Sequence, residues 1–429
     1  MSDDHTKVHT EALDSVSDNA GSGTPQLASI VREGEGQSTA IAIEDYIFMA
    51  KDISNAYLVT TSAGDVLINA GFMGSAERNK LIFDQVRSGP LKYLVLTQAH
   101  ADHFGGVPVL ADPDTKVVAE RRFTDTCEFF DRLAPYLKAR SGKIWSGVIR
   151  GRDKPVPKVI PDIEVVGEFS FDVGETRFDV ISVPGGEAPD ALVVWLPREK
   201  VVFTGNLFGP VFMSMPNLCT LRGDKPRSAR LWLDCLLKVR DLEPDLLITG
   251  HGAPVRGAGN IRQALERMYA AVTHVLEQTL SGMNAGKDVY TLMREIHLPE
   301  EIAIAEHHGK VAWAVRTIWE EYSGWFHMDF TTSLYGIPRS SIDSDLTGLA
   351  GGASALAERA QERLIQNQPL QALHLLEVAL GAEPDCRSAL AAKKAVIEVL
   401  RDSCGGVNMS ETAWLENQLA QTQAALGEK

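Results

Sequence analysis

The stretch Thr97-Gln98-Ala99-His100-Ala101-Asp102-His103 places two histidines and an aspartate within four positions. An apolar run, Tyr93-Leu94-Val95-Leu96, precedes it, and Phe104-Gly105-Gly106 follows. The run reads as a buried strand and the glycine pair as a tight turn. A strand that ends in clustered His and Asp sets metal-type ligands on a loop held by a rigid sheet. A plain surface loop would need no matching ligands elsewhere, yet matching ligands recur. Glu187 lies in Pro184-Gly185-Gly186-Glu187-Ala188-Pro189, after a strand that ends at Val183. His251 in Thr249-Gly250-His251-Gly252 and Asn206 in Thr204-Gly205-Asn206 each follow an apolar strand. All are strand-end loops, as expected of a site assembled on one edge of a sheet sandwich. Zinc takes His nitrogen and carboxylate oxygen, and a catalytic ion keeps one position open for water.

Working outward, 44% hydrophobic and 23% charged residues over 429 positions describe an ordinary globular chain of two or three domains. The net charge of −15 excludes the basic stripe that nucleic-acid binding requires and disfavours anionic membrane surfaces. An anionic substrate would need a local positive site. The five cysteines lack CxxC spacing, which suggests reduced thiols and a cytoplasmic protein. No signal peptide is visible at Met-Ser-Asp-Asp-His, and no run approaches the roughly 18 apolar residues of a spanning helix.

Residues 1–36 are polar and read as a mobile arm. Residues 37–262 alternate strand and helix patterns, including Ala56-Ile68 as two strands about a glycine turn, then Phe178-Val183, Ala191-Leu196, Val201-Phe203 and Leu246-Ile248. After Arg256 the composition turns helical. Residues 263–345 form one helical region, with helices over Ile261-Met283, Val289-Ile296 and Val311-Tyr322. Leu346-Ala353 reads as a linker, and 346–429 as a C-terminal helical region with amphipathic helices over Ser354-Leu380, Ser388-Arg401 and Ser410-Leu426. Packing and oligomerisation are the ordinary roles of such helices.

The chain resembles the metallo-β-lactamase fold superfamily through Asn55-Ala56-Tyr57-Leu58-Val59, Leu67-Ile68-Asn69-Ala70-Gly71, the His cluster with Gly105-Gly106, Phe203-Thr204-Gly205-Asn206 and Gly250-His251-Gly252. Within it, the chain looks most like the alkylsulfatases. Gly186-Glu187-Ala188-Pro189, Asn217-Leu218 and Thr220-Leu221-Arg222-Gly223 carry that likeness, as does the similarity of Met268-Phe326 to the alkylsulfatase dimerisation domain. The resemblance implies an α/β fold: an αββα sandwich followed by an all-α dimerisation and helical-repeat-like region. It implies one or two zinc ions, a small-molecule substrate, and a homodimer or a hetero-oligomer with a related chain through the helical half. A first metal position would use Gln98, His100 and Glu187. A second would use Asp102, His103 and His251. A bridging ligand would come from near Asn206, and Arg222 and Asn217 would hold a sulfate group. An Arg fork suits a tetrahedral oxyanion, although a structural ion pair explains Arg222 equally well.

Four positions depart from the family. Gln98 stands for the first His, Asn206 for a bridging carboxylate, and Asn69 for the Asp that orients ligands. Trp313 stands at the position of the His proposed as general acid. Two Zn²⁺ bring about +4 against about −2 from Asp102 and Glu187, and a bridging hydroxide leaves about +1. One tight metal at Asp102/His103/His251 and a weaker one at Gln98/His100/Glu187 is expected. Asp102, Arg222 and Asn217 are the expected catalytic residues, with Asp102 orienting the nucleophile. Three functions compete. One is metal-dependent hydrolysis of a sulfate ester. The second is hydrolysis of an activated aryl ether or ester, whose phenolate would leave without an acid and stack on Trp313. The third is a non-catalytic partner subunit. His307 and His308 read as exposed helix-end residues, and less readily as a replacement acid.

Overall fold

The computed structural model describes residues 26–145 and 155–428. The chain divides into a first unit that runs to Glu321 and a second that starts at Tyr322. Two sheets make the frame of the first. One holds β1 (Ile41–Glu44), β2 (Ile47–Ala50), β3 (Ala56–Thr61), β4 (Gly64–Ile68), β5 (Leu91–Val95), β6 (Lys116–Glu120) and β7 (Ile163–Val165), side by side in chain order. Its first four strands are antiparallel and β4 to β7 run parallel. The other holds, in spatial order, β13 (Val255–Arg256), β12 (Leu246–Thr249), β11 (Val201–Gly205), β10 (Leu192–Leu196), β9 (Thr176–Ser182) and β8 (Glu168–Val173). Only β11 and β12 pair in parallel there.

Side-chain alternation sorts these strands between layers. Tyr57 and Val59 of β3, Val66 and Ile68 of β4, and Leu192, Val194 and Leu196 of β10 meet in the core between the sheets. Ala56, Leu58 and Leu67 point the other way and pack with Ile82, Phe83, Val107 and Phe123 of the covering helices. Val193, Trp195 and Val202 do the same on the second sheet against the helices Ala229–Asp241, Ala258–Asn284, Val289–Glu295 and Val311–Ser323. The result is the expected αββα sandwich. Its central strands are buried on both faces, and this is why they read as continuous apolar runs rather than as alternating ones.

Four expectations meet a different arrangement. Residues 1–25 of the expected arm lie outside the described residues, but Gln26–Ile30 is a helix that buries Leu27 and Ala28, with Val31 buried just beyond it. Lys51 reaches Glu33 at 2.6 Å on the same stretch. Polar flanks hid that apolar spacing. The expected break at 262/263 falls inside the helix Ala258–Asn284, whose Ile261, Leu265 and Met268 belong to the core under the second sheet. The expected linker Leu346-Ala353 is half helix: Asp343–Leu349 extends into it, and Thr347 Oγ1 bonds Val378 O at 3.4 Å. In the second unit, helices Ala353–Ile365, Pro369–Ala382 and Arg387–Cys404 pack around Leu356, Ala360, Leu376 and Val396, and Met409–Leu426 follows. The single helix expected over Ser354-Leu380 is broken ahead of Pro369, which takes the first position of the next helix.

The loop of the His cluster is fixed by close packing. After β5, His100 precedes the short helix Ala101–Phe104, and Gly105 and Gly106 lead into Val107–Leu110. Both glycines have ordinary helical dihedrals, so the pair is not a left-handed turn. A Cβ on Gly105 would lie 2.6 Å from Met73 N, and one on Gly106 would strike Ala70 O. The glycines let this loop lie against the end of β4. Ala70 N completes the contact by donating to His103 O at 2.7 Å. Gly106→Ala is expected to cost about 1–3 kcal/mol through overpacking against backbone that cannot yield, measured by denaturant unfolding against the parent protein.

Candidate functional site

Side-chain donor atoms of Asp102, His103 and His251 all lie within 4.8 Å of one another. Nε2 of His103 is 3.8 Å, and Nε2 of His251 4.0 Å, from Asp102 Oδ2. The hydrogen bonds around His103 fix its tautomer. Asn69 Oδ1 accepts from Thr97 N and Thr97 Oγ1, both at 3.0 Å, so the Thr97 hydroxyl hydrogen is committed. Ser54 Oγ donates to Gly250 O at 3.1 Å, so its hydrogen is committed too. Both hydroxyls face His103 Nδ1, at 3.1 and 3.3 Å, and each can only accept from it. The proton therefore sits on Nδ1. Nε2 keeps a bare lone pair that is buried and has no hydrogen-bond partner among the described residues. Burial holds the His103 pKa down at about 4, and it lowers that of His251 as well. Neutral imidazoles beside a carboxylate are the donor set of a divalent metal ion, and these residues fit one.

The two sheets contribute one histidine loop each. His103 follows β5 of the first sheet, while His251 follows β12 of the second. The segment ahead of β3 ties the loops together. Asn55 N donates to Gly250 O at 2.7 Å, Asn55 Nδ2 to Gly252 O at 3.0 Å, and Tyr57 Oη to Thr249 O at 2.7 Å. Asn69 has φ of 60°, a left-handed backbone that Asn tolerates better than most residues. Its amide oxygen serves Thr97 as a carboxylate would, so this departure from the family leaves the support of His103 intact.

The other candidates form a second cluster with a different character. Gln98 Nε2 lies 2.6 Å from His100 Nδ1, and His100 Nε2 lies 3.5 Å from Asp224 Oδ2. The same Asp224 oxygen is 3.4 Å from both Arg222 Nη2 and Arg227 Nη2. Arg227 Nη1 is 3.7 Å from Glu187 Oε1 and donates to Asn217 O. His308 Nε2 sits 3.4 Å from Glu187 Oε1 and 3.3 Å from Asn217 Nδ2. Burial opposes the charge on Glu187, but His308 and Arg227 outweigh it and hold the carboxyl well below its usual range. Burial likewise opposes the Asp224 charge, and His100 with the two arginines brings that pKa down to about 2. Gln98 Oε1, Glu187 Oε2 and Asn206 Oδ1 are buried with no hydrogen-bond partner among the described residues.

A family model for the metallo-beta-lactamase superfamily matches residues 50–251, and one for alkyl sulfatase dimerisation matches 290–413. The chain carries a metallo-beta-lactamase domain followed by an alkyl sulfatase dimerisation domain. It is 25% identical over 360 residues to the linear primary-alkylsulfatase of Pseudomonas sp. (strain ATCC 19151), covering 77% of this chain and 67% of that one. It is 25% identical over 356 residues to the alkyl/aryl-sulfatase BDS1 of Saccharomyces cerevisiae, covering 74% and 54%. A solved double mutant of the sec-alkyl sulfatase PisA1 shares the fold with a TM-score of 0.80 at 21% identity, over 96% of this chain and 70% of that one. The chain thus spans between about half and two thirds of the length of the two curated relatives.

Every candidate ligand lies inside the matched metallo-beta-lactamase domain, and among the described histidines, cysteines and carboxylates Asp102, His103 and His251 form the group whose donor atoms all lie within 4.8 Å of one another. Arg222 is engaged with Asp224. Trp313 is half-buried on the helix Val311–Ser323, with Lys310 Nζ 5.8 Å over its ring. His308 is buried, not exposed as expected, because Gly309 packs on the backbone of Met215 and Pro216 and draws the turn inward. Asp224 and Arg227 escaped the sequence reading, although the charge-rich run Arg222-Gly223-Asp224-Lys225-Pro226-Arg227 was a visible signal. Thr97→Val removes the nearer of the two acceptors that fix the His103 tautomer. Metal affinity, measured by chelator competition, should fall by about 10–100-fold, as is usual for outer-shell partners.

Proposed function

We propose that this chain is a metal-dependent hydrolase of sulfate esters, with zinc the ion that the nitrogen and carboxylate donors favour. The observation that carries the reading is the convergence of Asp102, His103 and His251 around a bare His103 Nε2. The alkylsulfatase relatives support the substrate class. When bound, a divalent ion there supplies Lewis acidity and makes water acidic enough to ionise near neutral pH. Asp102, beside both imidazoles, orients the attacking oxygen. Arg222 and Asn217 offer donors to sulfate oxygens, where charge develops as the ester bond breaks. His308, buried beside Asn217 and Glu187, is placed to pass a proton to the departing alkoxide. That placement removes the main reason to prefer an activated aryl substrate, which rested on Trp313 leaving no acid.

The test is sulfate release from a series of alkyl sulfates. Activity should vanish with a chelator and return with zinc. His251→Ala should lower it by more than the roughly 10–100-fold typical of outer-shell partners, because it removes a ligand itself. Sulfate release that persists in the metal-free protein would overturn the reading. A purified protein that takes up no metal would favour the non-catalytic alternative.

The matched dimerisation domain and the surface of residues 325–349 support a homodimer. Trp325 is 73%, Met328 85%, Tyr335 68% and Leu349 87% exposed, with Phe330 and Ile337 between them. Large apolar side chains exposed in such density mark an interaction surface. Sedimentation at micromolar concentration should give a dimer, and Trp325→Ser with Phe330→Ser should shift it to monomer. A chain that is monomeric without either substitution would point instead to a hetero-oligomer. No described helix is long and apolar enough to cross a membrane.

A further inference from the structure

We infer that Arg140, on the helix Ala134–Trp145, is a positioning residue for sulfate binding, and that it acts by gripping the backbone of the turn that carries Arg222. The inference rests on the sulfate-ester reading above and deepens it.

Arg222 lies on the loop that leads from β11 to the helix Ala229–Asp241. The base of that loop closes on itself, where Arg227 N donates to Leu218 O at 2.9 Å. At its tip, Gly223 N donates to Thr220 O at 3.1 Å, which makes Thr220-Leu221-Arg222-Gly223 a hydrogen-bonded turn. That bond uses the Thr220 carbonyl but not those of the two central residues, Leu221 and Arg222. Arg140 takes both. Its Nη2 donates to Leu221 O at 2.9 Å and its Nε to Arg222 O at 3.0 Å.

The gripping guanidinium is itself held. Its Nη1 donates to Tyr136 Oη at 3.3 Å, one helical turn earlier, and its Cζ lies 5.5 Å from the centre of the Tyr136 ring. Gly223, with φ of 94°, lets the turn approach: a Cβ there would lie 3.2 Å from Arg140 Nε and 3.4 Å from Leu137 Cδ2. The helix Ala134–Trp145 follows β6 of the first sheet, whereas the turn follows β11 of the second, so Arg140 spans the two halves of the first unit beside the site. Arg140 fixes the backbone of Arg222, and Asp224 at 3.4 Å engages its side chain. An Arg222 anchored at both ends meets a sulfate already oriented and loses little freedom on binding it. The fork of an arginine reaches two adjacent carbonyls at once, which the single ammonium of a lysine does not match.

The experiment compares Arg140→Ala, Arg140→Lys, Arg222→Ala and the double variant Arg140→Ala/Arg222→Ala with the parent protein. Two quantities are read: kcat/KM for octyl sulfate, and the dissociation constant of inorganic sulfate by calorimetry. Arg140→Ala should weaken both by about tenfold, within the roughly hundredfold that a displacement of about 1 Å at a site can cost. Arg140→Lys should fall with it although it keeps the charge, and it carries the test alone if the alanine variant loses its circular dichroism. In the Arg222→Ala background, Arg140→Ala should add less than about twofold, because it acts through Arg222. Either single Arg140 variant at the parent level would overturn the inference, and so would effects that multiply in the double variant, as a general loosening of the fold would give. In both cases a parent that releases sulfate leaves the hydrolase reading standing. A parent that binds sulfate in an Arg140-dependent way but hydrolyses no alkyl sulfate would keep the positioning role and remove the hydrolase reading. A parent that does neither would remove both.

Discussion

A single hydroxyl joins the two halves of the site. Ser54 Oγ donates to Gly250 O on the loop after β12 and accepts from His103 Nδ1 on the loop after β5. His103 belongs to one sheet and His251 to the other, so the three side chains of the candidate site can meet only while the sheets hold one relative position. The core between the sheets supplies most of the adhesion but has no direction of its own. Ser54, Asn55 and Tyr57 supply the direction, because hydrogen bonds are sensitive to small displacements. The Asp102/His103/His251 cluster is thus a property of the sandwich as a whole rather than of any one loop.

The sequence already located the strand ends that carry the candidate residues. His100, Asp102, His103, Glu187, Asn206 and His251 each follow an apolar run, and a run that stops at a polar cluster marks a strand end whatever its partners are. Which of these side chains meet is a different matter. His100 and His103 sit three positions apart on the same loop, yet their rings meet different partners. Thr97 and Ser54 stand beside His103, and Gln98 and Asp224 beside His100. Asp224 is more than a hundred residues away in the chain, and spacing carries no information about a contact of that kind. The same limit applies to His308, which read as an exposed residue because the glycine that turns it inward packs on a segment some ninety residues earlier.

Domain boundaries were less legible for a related reason. A change of composition after Arg256 is real, but a helix that is amphipathic in sequence does not state which surface it covers. Ile261, Leu265 and Met268 cover the second sheet, so the helical stretch that follows the sandwich is partly its outer layer. The glycine- and alanine-rich stretch around Leu346 reads as a linker because small residues are common in linkers. Here they let helices approach closely, as in the cluster of Ala353, Ala357, Ala360 and Ala379.

The bare lone pair on His103 has one more consequence. An ion that binds only the folded chain adds its own binding free energy to the stability of the fold, about 4 kcal/mol at a thousand times its dissociation constant. Because its ligands come from both sheets, that energy resists the sheets sliding apart. The ion would act as a rivet through the sandwich as well as a reagent, with the Ser54 hydroxyl holding the hole in line before the rivet goes in.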